Sequence, residues 1–93
     1  MKLGKVVGNV VSTRKDEGLV GTKLLIVRYL HPESGTLRES GDSEVVVDTV
    51  GAGIGDTVLL VAGSSATRYV KGYEKTPTDV TIVGVVDSAE VQE

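Results

Sequence analysis

Residues 51–56 read Gly-Ala-Gly-Ile-Gly-Asp, and this spacing of glycines invites a nucleotide-binding interpretation. The dinucleotide fingerprint is G-x-G-x-x-G, and it follows a strand and opens a helix. Here Asp56 stands in place of the last glycine, and an apolar run typical of a strand follows it. A carboxylate at that position repels a pyrophosphate. We therefore interpret the segment as a glycine-rich turn between two strands.

Other residue types used in catalysis occur without the partners that catalysis requires. Residues 12–15 read S-T-R-K and match the S-x-x-K motif of one class of serine hydrolases, but they fall at a strand end and the companion motifs are missing. The chain has no cysteine and a single histidine, His31, so no ligand spacing indicates a metal site. Asp48 and Asp87 adjoin apolar runs, where we expect them to bond turn amides or a nearby cation. The sequence thus predicts no catalytic residue, no metal and no cofactor.

The composition indicates one small all-β domain that spans residues 1–93. The chain has 12 glycines, two prolines, three tyrosines, no Phe and no Trp, so its core must be aliphatic. Valine, which suits a pleated sheet, is abundant. A net charge of −3 offers no strong field for phosphate backbones. No apolar stretch is long enough to span a bilayer and no signal peptide is evident, so we expect a cytoplasmic protein without a membrane partner.

The hydrophobic pattern predicts five strands, over residues 2–13, 22–31, 44–50, 56–63 and 79–88. Gly4 and Gly8 are expected on one face of the first strand. The polar residues 32–43 are expected to be an exposed hairpin connection. Ser64 is expected to cap a short helix over residues 65–71. Together these elements predict a small five-stranded, OB-like β-barrel with one short helix, because closure removes free sheet edges.

Several predicted strands are apolar on both faces. Residues 58–62 read Val-Leu-Leu-Val-Ala, whereas a strand that buries one face alternates. A barrel interior uses only one face of each strand. We therefore expect a neighbouring copy of the same chain to cover the second face of the first, fourth and fifth strands, through a head-to-tail contact that closes into a ring.

Four stretches together cover nearly the whole chain: MKLGKVVG at residues 1–8, GTKLLIV at 21–27, VDTVGAGIG at 47–55 continuing to GSSA at 63–66, and DVTIVGVVD at 79–87. In order and spacing they resemble the EutN/CcmL family, the pentameric vertex proteins of bacterial microcompartment shells. The chain departs from the family pattern at Arg28, where glutamine is frequent, and at Val80 and Thr81, where two alanines are common.

The resemblance implies an OB-like barrel without catalytic activity, assembled as a homopentamer in a cytoplasmic shell whose facets are hexameric shell proteins. Small residues that permit close approach of two chains are the candidates for the subunit contact or the central pore: Gly51, Gly53, Gly55, Ser64 and Ser65.

A small barrel is also compatible with two other functions. An OB-fold could bind single-stranded nucleic acid, but that requires a basic groove with stacking aromatics, whereas this chain is acidic and poor in aromatic residues. An enzyme would need a site assembled between subunits, and no particular residues indicate one. We therefore expect no nucleic-acid partner.

Overall fold

The computed structural model describes residues 1–11, 23–62, 80–89 and 91. Regular structure in these ranges consists of five strands, which are β1 (Lys2–Val10), β2 (Lys23–Glu33), β3 (Thr36–Asp48), β4 (Thr57–Ala62) and β5 (Val80–Val85). They form a closed barrel in the order β1-β2-β3-β5-β4. Every pair is antiparallel except β3 with β5, which is parallel. The predicted five-stranded barrel is confirmed, whereas the predicted helix and its cap Ser64 lie outside the described residues.

The barrel interior is aliphatic, as the absence of Phe and Trp requires. Its core cluster consists of Val6, Leu25, Val27, Val46, Ala52, Val58, Leu60, Val80 and Ile82. Gly4 marks the closest approach of the walls, because a Cβ there would lie 2.9 Å from Leu60 Cδ1 and 3.4 Å from the Arg28 carbonyl oxygen. Any larger residue at this position would push the core leucine aside.

The prediction that Gly4 and Gly8 share a face is wrong, because the register of β1 against β2 shifts between Val6 and Gly8. The shift is a β-bulge, and one extra residue in a strand turns the following side chains to the opposite face. Gly8 consequently lies against Ile26 on the outside of the barrel.

Residues 32–43 form an exposed hairpin, as predicted, but the predicted strand bounds are wrong, since β2 and β3 continue through these residues as a two-stranded ribbon. Only Ser34 and Gly35 turn the chain, both with positive φ (52° and 78°), as the tight hairpin turn that matches strand twist requires. The longest axis of the molecule measures 45 Å, about twice each of the other two. Its residues are mostly exposed, and ion pairs such as Arg38–Glu33 (3.8 Å) lie along it. A strand that is solvated on both faces has the polar composition of a loop.

Part of the second apolar face is already covered within one chain. Val47, Val61 and Thr81 are at most 7% exposed, although their neighbours in sequence point into the barrel. They form a row, because Thr81 pairs with Val47 on one side and with Val61 on the other. At this row, the expectation that a neighbouring subunit supplies the cover is wrong. Apolar residues available to a neighbour must therefore lie elsewhere.

Thr81 is fully buried, and its Oγ1 has no hydrogen-bond partner. We predict that Thr81→Val raises the free energy of unfolding by about 1 kcal/mol, because a buried hydroxyl without a partner costs about 1–3 kcal/mol and valine has nearly the same shape. Urea unfolding at fixed protein concentration measures this change. Thr36→Val, at an exposed strand position, is the matched control and should change the stability by less than about 0.5 kcal/mol. An unchanged or lower stability of Thr81→Val would show that the hydroxyl is solvated or bonded.

Candidate functional site

The connection between β3 and β4, residues 49–56, closes one end of the barrel, and we call it the cap loop. Ala52 is fully buried and belongs to the core cluster, so the loop contributes a side chain that fills this end of the barrel. Thr49 Oγ1 donates a hydrogen bond of 2.7 Å to the carbonyl oxygen of Ile82, which fastens the loop to β5. The loop thus contributes to the core as well as to the surface.

The second half of the cap loop is fastened to β1 and to itself. Gly55 N donates to the Val6 carbonyl oxygen, and Val6 N donates to the Asp56 carbonyl oxygen, both at 2.9 Å. The Asp56 carboxylate accepts a 2.8 Å hydrogen bond from Gly53 N, while Asp56 N donates to the Gly53 carbonyl oxygen at 3.0 Å. These bonds hold the loop in a single conformation.

Asp48 organises the first half of the cap loop. Its carboxylate, with a side chain that is 1% exposed, accepts hydrogen bonds from the amides of Val50 (3.0 Å), Gly51 (3.2 Å) and Ala52 (2.8 Å). Lys23 Nζ lies 3.6 Å from Asp48 Oδ2 and also donates to the Ala52 carbonyl oxygen. The expectation that Asp48 bonds turn amides and a cation is therefore confirmed.

The two other carboxylates near strand ends differ from each other. Asp56 bonds a turn amide. Asp87 lies exposed beyond β5, and within the described residues it makes no hydrogen bond or ion pair, so the same expectation for Asp87 is not met.

Lys23 is the member of this site that the sequence did not single out. It opens β2 directly opposite Asp48 in the β2–β3 register. Because cross-strand neighbours are fixed by register, and the register became known only with the structure, the residue pattern alone gave no signal for this pair.

The structure brings Gly51, Gly53 and Gly55 together in the cap loop, and two of them have a conformational role. Gly51 and Gly55 have φ values of 83° and 97°, which side-chain-bearing residues rarely adopt. Gly53 has no positive φ, and a Cβ added there would find only Asp56 Oδ2, at 4.0 Å. Nothing among the described residues requires glycine at this position. The other two candidates, Ser64 and Ser65, lie outside the described residues.

The cap loop cannot cradle a phosphate as it stands. A phosphate-binding loop directs several backbone amides at an anion, but here the amides of residues 50–53 point at the protein's own carboxylates. Among the described residues no group of three potential metal ligands converges, and no helix has the length and apolar character of a membrane span. The cap loop instead presents two exposed apolar side chains, Val50 and Ile54, on a rigid backbone.

We predict that Asp48→Asn lowers the free energy of unfolding by about 1–3 kcal/mol, because an amide can satisfy fewer of the three loop N–H groups and loses its charge interaction with Lys23. Denaturant unfolding measures this as a lower midpoint with an unchanged slope. Asp42→Asn, at an exposed position on β3, is the matched control and should change stability by less than about 0.5 kcal/mol. Equal effects of the two substitutions would contradict the organising role of Asp48.

Comparison with known proteins identifies the family to which this chain is similar. The model of the family described as "Ethanolamine utilisation protein EutN/carboxysome" matches residues 1–87. The chain is 50% identical over 90 residues to the bacterial microcompartment shell vertex protein GrpN of Rhodospirillum rubrum, covering 97% of each chain. It is 48% identical over 93 residues to the shell vertex protein PduN of Salmonella typhimurium, covering 95% of this chain and 97% of PduN.

Solved structures agree with these relatives over the whole barrel. The pentameric microcompartment shell protein GrpN of Rhodospirillum rubrum superposes with a TM-score of 0.84 at 47% identity, covering 99% of this chain and 100% of that one. A carboxysome subunit, CcmL, superposes with a TM-score of 0.86 at 40% identity, covering 98% and 91% of the two chains.

Proposed function

This chain belongs to the EutN/CcmL family, and on that premise we propose that it assembles into a homopentamer that occupies the vertices of a bacterial microcompartment shell. The observation that carries the proposal is the agreement over nearly the full chain with a structure described as a pentameric shell protein. The shell places the protein in the bacterial cytoplasm. Its partners there would be the hexameric shell proteins that form the facets, as the family resemblance implies.

The role we propose is structural rather than catalytic. The relatives are named as shell vertex proteins. The one loop of this chain whose sequence suggested ligand chemistry has its amides bonded to Asp48 and Asp56. A rigid loop of this kind suits a contact between subunits better than the binding of a substrate.

We propose further that the cap loop lies at the subunit contact or lines the centre of the ring, through Gly51, Gly53 and Gly55 together with Ser64 and Ser65. Gly53 is the informative position, because neither its φ nor its contacts with the described part of the chain require a glycine. Close approach of a second chain is a physical reason for a residue without a side chain.

The nucleic-acid alternative has no observation in its favour. Tyr29, an aromatic residue on a barrel strand, packs against the core cluster and donates a 2.8 Å hydrogen bond from its hydroxyl to Glu44. Lys2 Nζ lies 4.9 Å from the centre of its ring. A base could not stack on this ring without displacing the lysine.

Native mass spectrometry of the purified chain at micromolar concentration tests the proposed assembly. We expect five copies in the dominant species, because the similar GrpN structure is described as pentameric and a closed ring satisfies every contact surface. A stable monomer or dimer under these conditions would contradict the proposal.

Substitution of Gly53 tests the role of the cap loop within that assembly. We predict that Gly53→Asp leaves the barrel folded, because no positive φ or close neighbour forbids a side chain, and that it abolishes the pentamer by placing a carboxylate in the contact. Circular dichroism and native mass spectrometry measure the two effects. Gly41→Asp, at an exposed glycine on the ribbon with open space around it, is the matched control and should remain pentameric. A normal pentamer of Gly53→Asp would show that the loop is merely a turn.

A further inference from the structure

Two separate apolar patches remain exposed on the described surface of one chain. The first lies at the barrel end and consists of Val50 and Ile54 on the cap loop and Val85 at the end of β5, and we call it the cap patch. These side chains are 42%, 63% and 44% exposed. Because the cap loop is held by hydrogen bonds to β1, β5 and Asp48, the patch is presented on a rigid support. Binding through a rigid surface loses little conformational entropy.

The second patch crosses the outer wall of the barrel. Gly8, Ile26 and Val45 are cross-strand neighbours on β1, β2 and β3, and we call this row the wall patch. Val45 is 53% exposed, and Gly8 adds no side chain to the row. The half-buried Val10 and Leu24 form the next row and extend the apolar surface. The bulge in β1 is what turns Gly8 to this outer face.

The arrangement of the two patches favours a ring. The cap patch lies at an end of the barrel and the wall patch lies on its side, so the two patches face different directions. In a five-membered ring, the two neighbours of each subunit lie at about 108° to one another. Patches on opposite faces of the chain would generate an open filament instead. A contact between different patches is also the head-to-tail kind that cyclic assemblies beyond a dimer require.

The charges beside the patches are complementary. Lys5 and Arg28 form the row next to the wall patch on β1 and β2, and because Arg28 already lies 3.6 Å from Glu39 within the chain, Lys5 is the cation that is available to a neighbour. Asp87, which is exposed, follows Val85 by two residues at the cap patch. Opposite charges at the rim of an apolar contact favour the correct orientation of the two chains. A second copy of this chain is therefore the occupant that fits each patch.

We propose that the cap patch of each protomer packs against the wall patch of the next protomer around the ring. This inference rests on the proposed pentamer, and it identifies the two surfaces that meet. It also gives a role to the apolar residues of the outer face that the chain itself leaves uncovered.

Two substitutions, each of which disables one patch, test this pairing. Ile54→Glu removes the cap patch and keeps the wall patch, whereas Val45→Glu does the reverse. Each variant alone should lose the pentamer and run as a monomer in native mass spectrometry. An equal mixture, with one variant isotopically labelled, should give a heterodimer of one copy of each and no larger species. The intact cap of one variant then meets the intact wall of the other, and no second contact remains.

The controls separate folding from assembly. Val11→Glu introduces the same charge at a side chain that is 92% exposed and belongs to neither patch, so it should remain pentameric. Circular dichroism should show an unchanged barrel for all three variants. Val85→Glu serves as a second cap variant, and Val45→Lys as a second wall variant, in case either first choice fails to fold.

The outcomes distinguish this inference from the proposed function. If the wild-type chain is pentameric but a folded cap or wall variant is also pentameric, the pairing is wrong and the vertex role is unaffected. If both variants are monomeric and their mixture gives no heterodimer, the cap and wall patches do not meet each other. If the wild-type chain itself is not pentameric, the proposed function fails.

Discussion

The carboxylate of Asp48 is the interaction on which the barrel end depends. It lies at the end of β3, nearly inaccessible to solvent, and three consecutive loop amides would have no partner without it. A buried carboxylate is stable only when hydrogen bonds and a counter-charge compensate its lost hydration. The three amides and Lys23 provide that compensation. These hydrogen bonds bend the loop. As a result, Ala52 enters the core and the following residues reach β1. One side chain thus links a core contact to a surface conformation.

The sequence predicted those features that follow from local chemistry and periodicity. The strand pattern and the five-stranded barrel are confirmed, and so are the interpretation of residues 51–56 as a turn and the bonding of Asp48 to its amides. Two features that depend on strand pairing were wrong. Residues 32–43 are polar because both faces of the β2–β3 ribbon are solvated, and Gly8 faces outward because a bulge precedes it. Register and bulges are set by contacts with a partner strand, which no single segment encodes.

The strands carry apolar residues on their outer face for two different physical reasons. The row of Val47, Thr81 and Val61 is buried within a single chain, so its apolar character stabilises the monomer. Val45 lies on the same outer wall but remains about half exposed. The sequence could not separate these parts, because valine serves equally in both. Only the exposure of individual side chains identifies the portion that is available to another subunit.

The rigidity of the cap loop is favourable for the proposed subunit contact. A flexible loop with exposed apolar side chains would lose conformational freedom each time a subunit joined the ring, and each contact would be weakened accordingly. Here the freedom of residues 49–56 is already lost on folding, because Asp48, Asp56 and β1 hold their amides. The positive φ values of Gly51 and Gly55 follow from that conformation, whereas Gly53 has neither a positive φ nor a close neighbour among the described residues. No described residue requires glycine at this position, and the proposed subunit contact would supply a reason for it.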